Sequence, residues 1–161
     1  MGNANKAKTW FPHFKLGYTL TGAPAPVEHW PIASGVTVVA GAPVLLDDGE
    51  IVLATATSGT LYGIANGNGE AGDTIPVLVG DRNTVFVGRS NAKTENITAF
   101  PAEADIVAVS DEWRVNIGAS VEGVLQVVSL VQDDDDEDNT VPGRVYFKIK
   151  RSQWDQLVAA K

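Results

Sequence analysis

Gly67-Asn-Gly69-Glu-Ala-Gly72 has the spacing of a dinucleotide phosphate cradle, in which glycines let the backbone close on a pyrophosphate. That chemistry needs the last glycine to open a helix whose amides face the phosphate. Here the chain continues Asp73-Thr-Ile-Pro76-Val-Leu-Val, with a proline and β-branched residues, so the segment reads as a Gly-rich loop between strands. No nucleotide or other cofactor is expected. The acids at residues 133–138, Asp-Asp-Asp-Asp-Glu-Asp, could hold a divalent cation. A calcium loop starting at Asp133 requires Gly at its sixth position and Glu at its twelfth, where Asp138 and Arg144 stand, so residues 133–139 read as a solvated acidic loop with no metal. Ser90-Asn-Ala-Lys93 fits the S-x-x-K spacing of an acylated serine but lacks the partner motifs. Asp111 and Glu112 adjoin on a strand pattern, and alternation sends them to opposite faces, so they cannot share acid–base work. There is no cysteine, and the only histidines are His13 and His29. No catalytic residue is assigned, and an enzyme is not expected.

The groups left for recognition are aromatic. Residues 1–35 carry Trp10, Phe11, Phe14, Tyr18 and Trp30 among Pro12, Pro24, Pro26 and Pro31, with no period that would gather them on one face. This stretch reads as an extended N-terminal arm. Its first thirty residues carry a charge of +2, from Lys6, Lys8 and Lys15 against Glu28. A solvated tail has little use for these aromatics, so the arm is expected to lie against its own domain or a neighbouring chain. Trp10, Phe11, Phe14, Tyr18 and Trp30 are the candidate partner-binding residues. Trp30, Trp113 and Trp154 could alternatively form a sugar-stacking platform, although alternation and helix spacing account for Trp113 and Trp154 as packing residues.

The elements that must position these groups are strands. Among 161 residues, 16 Gly and 8 Pro argue against a mainly helical chain, and 44% hydrophobic residues suffice for a core. A β-domain over 36–150 is expected, in two strand sets at 36–90 and 97–150. The first set comprises 36–39, 44–46, 51–56, 60–65, 74–79 and 84–89, with Asp48-Gly49 as a two-residue hairpin turn. The second comprises 105–110, 112–117, 123–131 and 144–150. In its last strand Val145, Phe147 and Ile149 alternate with Tyr146, Lys148 and Lys150, so one face is buried. Residues 151–161 fit a short C-terminal helix or tail capped by Ser152.

Twelve Lys and Arg against 20 Asp and Glu give a net charge of −8, with a pI near 4.6. Such a surface repels nucleic acid and anionic lipid, so neither is expected as a partner. No stretch approaches the ~18 uninterrupted apolar residues of a spanning helix, and the N-terminus lacks a signal-peptide core, so a soluble, unexported chain is expected.

The run Val36-Thr-Val-Val-Ala-Gly-Ala-Pro-Val-Leu-Leu, then Gly63-Ile-Ala65, Ala71-Gly-Asp-Thr-Ile-Pro-Val-Leu-Val and Val85-Phe-Val-Gly88 resembles the decoration, or capsid cement, proteins of tailed bacteriophages. Asp111-Glu-Trp113-Arg-Val-Asn-Ile117, the valine-rich stretch 124–131, the acidic turn and Gly143-Arg-Val-Tyr-Phe-Lys-Ile149 are similar to the closing strands of that group. The likeness spans roughly residues 30–150 and lies in strand and turn pattern; the aromatic arm, the six-acid run within the acidic turn and the C-terminal Trp segment depart from it. It implies an all-β fold with a Gly-rich β-tulip, barrel-like or sandwich core. It also implies a virion protein on the outer capsid surface, made in the host cytoplasm, that stabilises the head by binding the major capsid protein as a homo-oligomer, typically a trimer. A β-sandwich glycan-binding module on a virion or cell surface is the alternative.

Overall fold

The computed structural model describes residues 12–131 and 143–154. Trp10 and Phe11, the acidic loop and residues 155–161 of the expected C-terminal helix lie outside the described residues.

The chain is all-β, with two antiparallel sheets. The small sheet orders its strands β2 (Val27–Pro31), β6 (Thr74–Val79), β5 (Gly63–Ala65), β3 (Pro43–Asp47) and β4 (Glu50–Leu53). The large sheet runs β1 (Lys15–Thr19), β7 (Thr84–Arg89), β11 (Arg144–Ile149), β10 (Leu125–Leu130), β8 (Ala102–Val109) and β9 (Glu112–Asn116). Neither closes as a continuous ladder. Each is brought round on itself by a single parallel bridge, Ile32 with Ile51 in the small sheet and Ser90 with Val115 in the large one.

Turn chemistry fixes two hairpins. Asp48 and Gly49 both take positive φ, 51° and 80°, and pair Asp47 with Glu50. Ser110 and Asp111, at 50° and 62°, do the same between Val109 and Glu112. Two consecutive positive φ values match the right-handed twist of the flanking strands, which is why these short turns work. Gly67 to Gly72 forms the loop between β5 and β6, and Val38 bridges Gly69 across it.

Alternation then sorts side chains into two cores. Along β6, Ile75, Val77 and Val79 enter the core enclosed by the small sheet, with Val44, Ile51, Tyr62 and Ala65. Leu78 faces the other way and joins Ile64 in the core of the large sheet, with Phe86, Ile106, Leu125, Val127 and Phe147. The apolar run Val77-Leu78-Val79 thus reflects burial on both faces of one strand. Phe86 and Phe147 lie 5.9 Å apart, centroid to centroid.

Several expectations need correction. Residues 36–39 form no strand. Ala33 accepts from the Val36 N–H in a turn, and only Val38 makes a bridge, so the valine pattern there serves core contacts without a ladder. The two sheets also do not divide where the two strand sets do. β7 belongs to the large sheet, because the chain crosses over in the turn before it, where the Asp81 carboxylate accepts from Thr84 Oγ1 at 2.6 Å and from the Asn83 N–H at 3.1 Å. β8 begins at Ala102, three residues before the strand expected at 105–110.

Candidate interaction surface

From Pro12 onward, the N-terminal stretch is built into both sheets. β1 pairs with β7 and β2 pairs with β6, so this segment crosses from one sheet to the other. Phe14, expected to bind a partner, is instead a core residue, 2% exposed, with its ring edge-on to Phe147 at 4.9 Å. A large apolar ring gains more by filling the space over Phe147 than by waiting at the surface. Trp30 is half-buried, and its indole Nε1–H donates to the Tyr62 hydroxyl at 3.1 Å. Burial raises the Tyr62 phenol above its ordinary value; the Trp30 hydrogen bond pulls it back and the nearby Glu28 carboxylate adds to the rise.

Tyr18 is the described aromatic of this set that stays exposed, at 42%. A β-bulge puts it where it is. The register pairs Leu16 with Phe86 and Tyr18 with Val85, so the extra residue, Gly17, turns Tyr18 to the face opposite that of Leu16. Tyr18 there meets Tyr146 of β11 edge-on at 5.3 Å. A Cβ at Gly17 would stand 3.0 Å from the Val85 carbonyl oxygen and 3.2 Å from the Tyr146 ring, which is why glycine occupies the bulge. Leu16, Tyr18 and Leu20 are all exposed on β1 and its following turn, and Val27 is exposed at the start of β2. β1 is the outermost strand of its sheet.

Around His13, polar groups gather. His13 has a positive φ of 64°, and its Nδ1 accepts the Trp113 backbone N–H at 3.1 Å. Glu112 Oε1 lies 3.5 Å from both Arg89 Nε and Arg114 Nε, and all three side chains are mostly shielded, at 18%, 14% and 16% exposure. Adjacent to them, Asn91 ties the seam together: its backbone N–H donates to Val115, its Nδ2 to Asn116 Oδ1 at 2.8 Å, and its Oδ1 accepts the Ile117 N–H at 3.0 Å.

Sequence reasoning did not find this cluster. Glu112 was noticed only as the neighbour of Asp111, and its partners sit on other strands or, like Arg114, on the same strand at a spacing with no motif. Ser90 is buried, its hydroxyl donating to Gly143 and Ala92 carbonyl oxygens, so it serves the seam. The described tryptophans form no open platform: Trp30 and Trp154 both pack edge-on to Tyr62, and half-buried Trp113 touches both cores. Ser152 Oγ accepts the Trp154 N–H at 3.1 Å. Among the described residues no group of three His, Asp or Glu side chains is placed to hold a metal ion, and no helix is long and apolar enough to cross a membrane.

The fold therefore defines an all-β protein of two curled antiparallel sheets whose N-terminal segment spans both. No protein-family model matches the chain, and no curated protein matches it.

Proposed function

We propose that this chain is a structural virion protein that binds the outer surface of a tailed-phage head, as a trimer, and stabilises contacts between major capsid subunits. The observation that carries the reading is the N-terminal segment: it is anchored through buried Phe14, yet it presents Leu16, Tyr18, Leu20 and Val27 outward. In sequence Trp10 and Phe11 stand a few residues before this exposed set. A firmly seated element with outward apolar side chains suits a static interface, which needs area and complementarity and no reactive group. In this reading the two curled sheets are the barrel-like core that the resemblance implies, and residues 151–161 supply a short helix. The protein acts without catalysis, cofactor or nucleic acid.

The test uses tailed-phage heads stripped of their decoration protein. Deletion of residues 1–11 combined with Leu20→Asp removes Trp10, Phe11 and the exposed Leu20 side chain and leaves β1 and β2 in place. Head binding should fall at least tenfold, with an unchanged unfolding transition. A variant that binds and stabilises heads as well as the full chain overturns the reading, as does a full chain that binds no such head.

A further inference from the structure

The backbone at His13 is held by a bond that depends on protonation. β9 ends the ladder of the large sheet, and on its edge facing away from β8, the edge that also bridges Ser90, the His13 imidazole caps the Trp113 amide, a contact across 100 residues of sequence. The fit is close. Phe14 donates its N–H to the Gly41 carbonyl at 3.1 Å, and a Cβ at Gly41 would lie 2.6 Å from the Phe14 oxygen and 2.7 Å from the His13 Cβ. His13 is thus wedged between the Gly41 turn and β9.

An imidazole nitrogen accepts a hydrogen bond only while it carries no proton. Once Nδ1 is protonated, two donors face each other and the bond is lost. The charged group that acts on the ring is Glu112 of β9, which itself faces Arg114 of β9 and Arg89 from the end of β7, while the Gly41 turn, residues 39–42, brings no charged side chain. Glu112 favours an imidazolium, but its carboxylate is shared between two guanidinium groups, so the cluster as a whole is positive. Burial lowers the His13 value below the ordinary imidazole range, with Glu112 opposing.

We propose that His13 is a pH-operated latch that pins the Pro12–His13 backbone to the edge of β9 when neutral and releases it when protonated, uncovering the Trp113 amide. This goes beyond the docking role and does not depend on it. The sign follows from linkage. The latched ring is neutral and binds a proton more weakly than the released ring, whose value is about 6.5. The latch is therefore fully engaged above that value. It weakens as the pH falls, and the population ratio of latched to released chain drops toward about tenfold per pH unit until the latched ring itself is protonated.

Amide exchange measured by NMR on the full chain, at about pH 7.5 and about pH 5, tests this. Wild-type Trp113 should lose about tenfold in protection at the lower pH while the Phe147 amide in the core keeps its own. His13→Asn places Oδ1 where Nδ1 stood and binds no proton, so Trp113 should stay protected at both values. His13→Gly keeps the positive φ without an acceptor and should leave Trp113 unprotected at both. Equal wild-type protection at the two values overturns the proposal. So does a loss in His13→Asn as large as in wild type, or a His13→Gly amide as protected as wild type at the higher pH. A parallel loss at Phe147 assigns the change to global unfolding and overturns it too.

Discussion

The two sheets solve one problem with different materials. Each curls on itself through one parallel bridge, yet the small sheet is stitched at Ile32 and Ile51, 1% and 0% exposed, while the large sheet is stitched beside charges. Ser90 and Val115 form that second bridge, Arg89 and Arg114 directly precede them in the chain, and Glu112 lies between the two guanidinium groups. An apolar seam is held by burial, which depends little on pH or salt. A seam of shared charges and side-chain amides is held by pairing, which depends on both. Because the N-terminal chain docks beside the polar seam through His13, the large sheet is where solution conditions can reach the fold.

Breaking the apolar seam should cost most. Ile51→Ala leaves a cavity between the strand ends and is expected to destabilise by about 2–5 kcal/mol, read by denaturant unfolding, with the same loss at low and high salt. A loss that shrinks with salt would erase the distinction between the seams. Glu112→Gln should cost about 1–3 kcal/mol, discounted from a fully buried pair because these groups retain some solvent contact, and the cost should diminish as salt screens the two arginines. Asn91→Ala removes the amide that bonds Asn116 and Ile117 and should cost about 1–2 kcal/mol at any salt concentration. Tyr18→Ser, on the outer face, loses an edge-on ring pair and should shift stability by only about 0.5–1 kcal/mol. A larger effect would mean that Tyr18 holds β1 in place and is not free to serve an interface.

The sequence made the local features legible. Asp48-Gly49 announced its hairpin because both residues must accept positive φ, and the alternation in β11 announced its buried face. The valines at 36–39 misled because period-2 spacing also fits a turn that drops single side chains into a core. The arm misled for a related reason. Phe14 and Tyr18 belong to the same aromatic set in sequence, but one fills space over Phe147 and the other is turned outward by the bulge at Gly17, and neither Phe147 nor Val85 is a local neighbour. The candidate polar cluster was invisible for the same cause, since its members come from β7, β9 and the segment before β1.

What the sequence determined by itself was the all-β class, the position of most strands and the hairpin turns, because backbone φ preferences and period-2 burial act over a few residues. Tertiary structure alone decided which aromatics are buried, which face each edge residue presents, and that His13 meets Trp113. Those outcomes depend on strand order and register, and these are set by how two sheets close over shared cores rather than by any short stretch of chain.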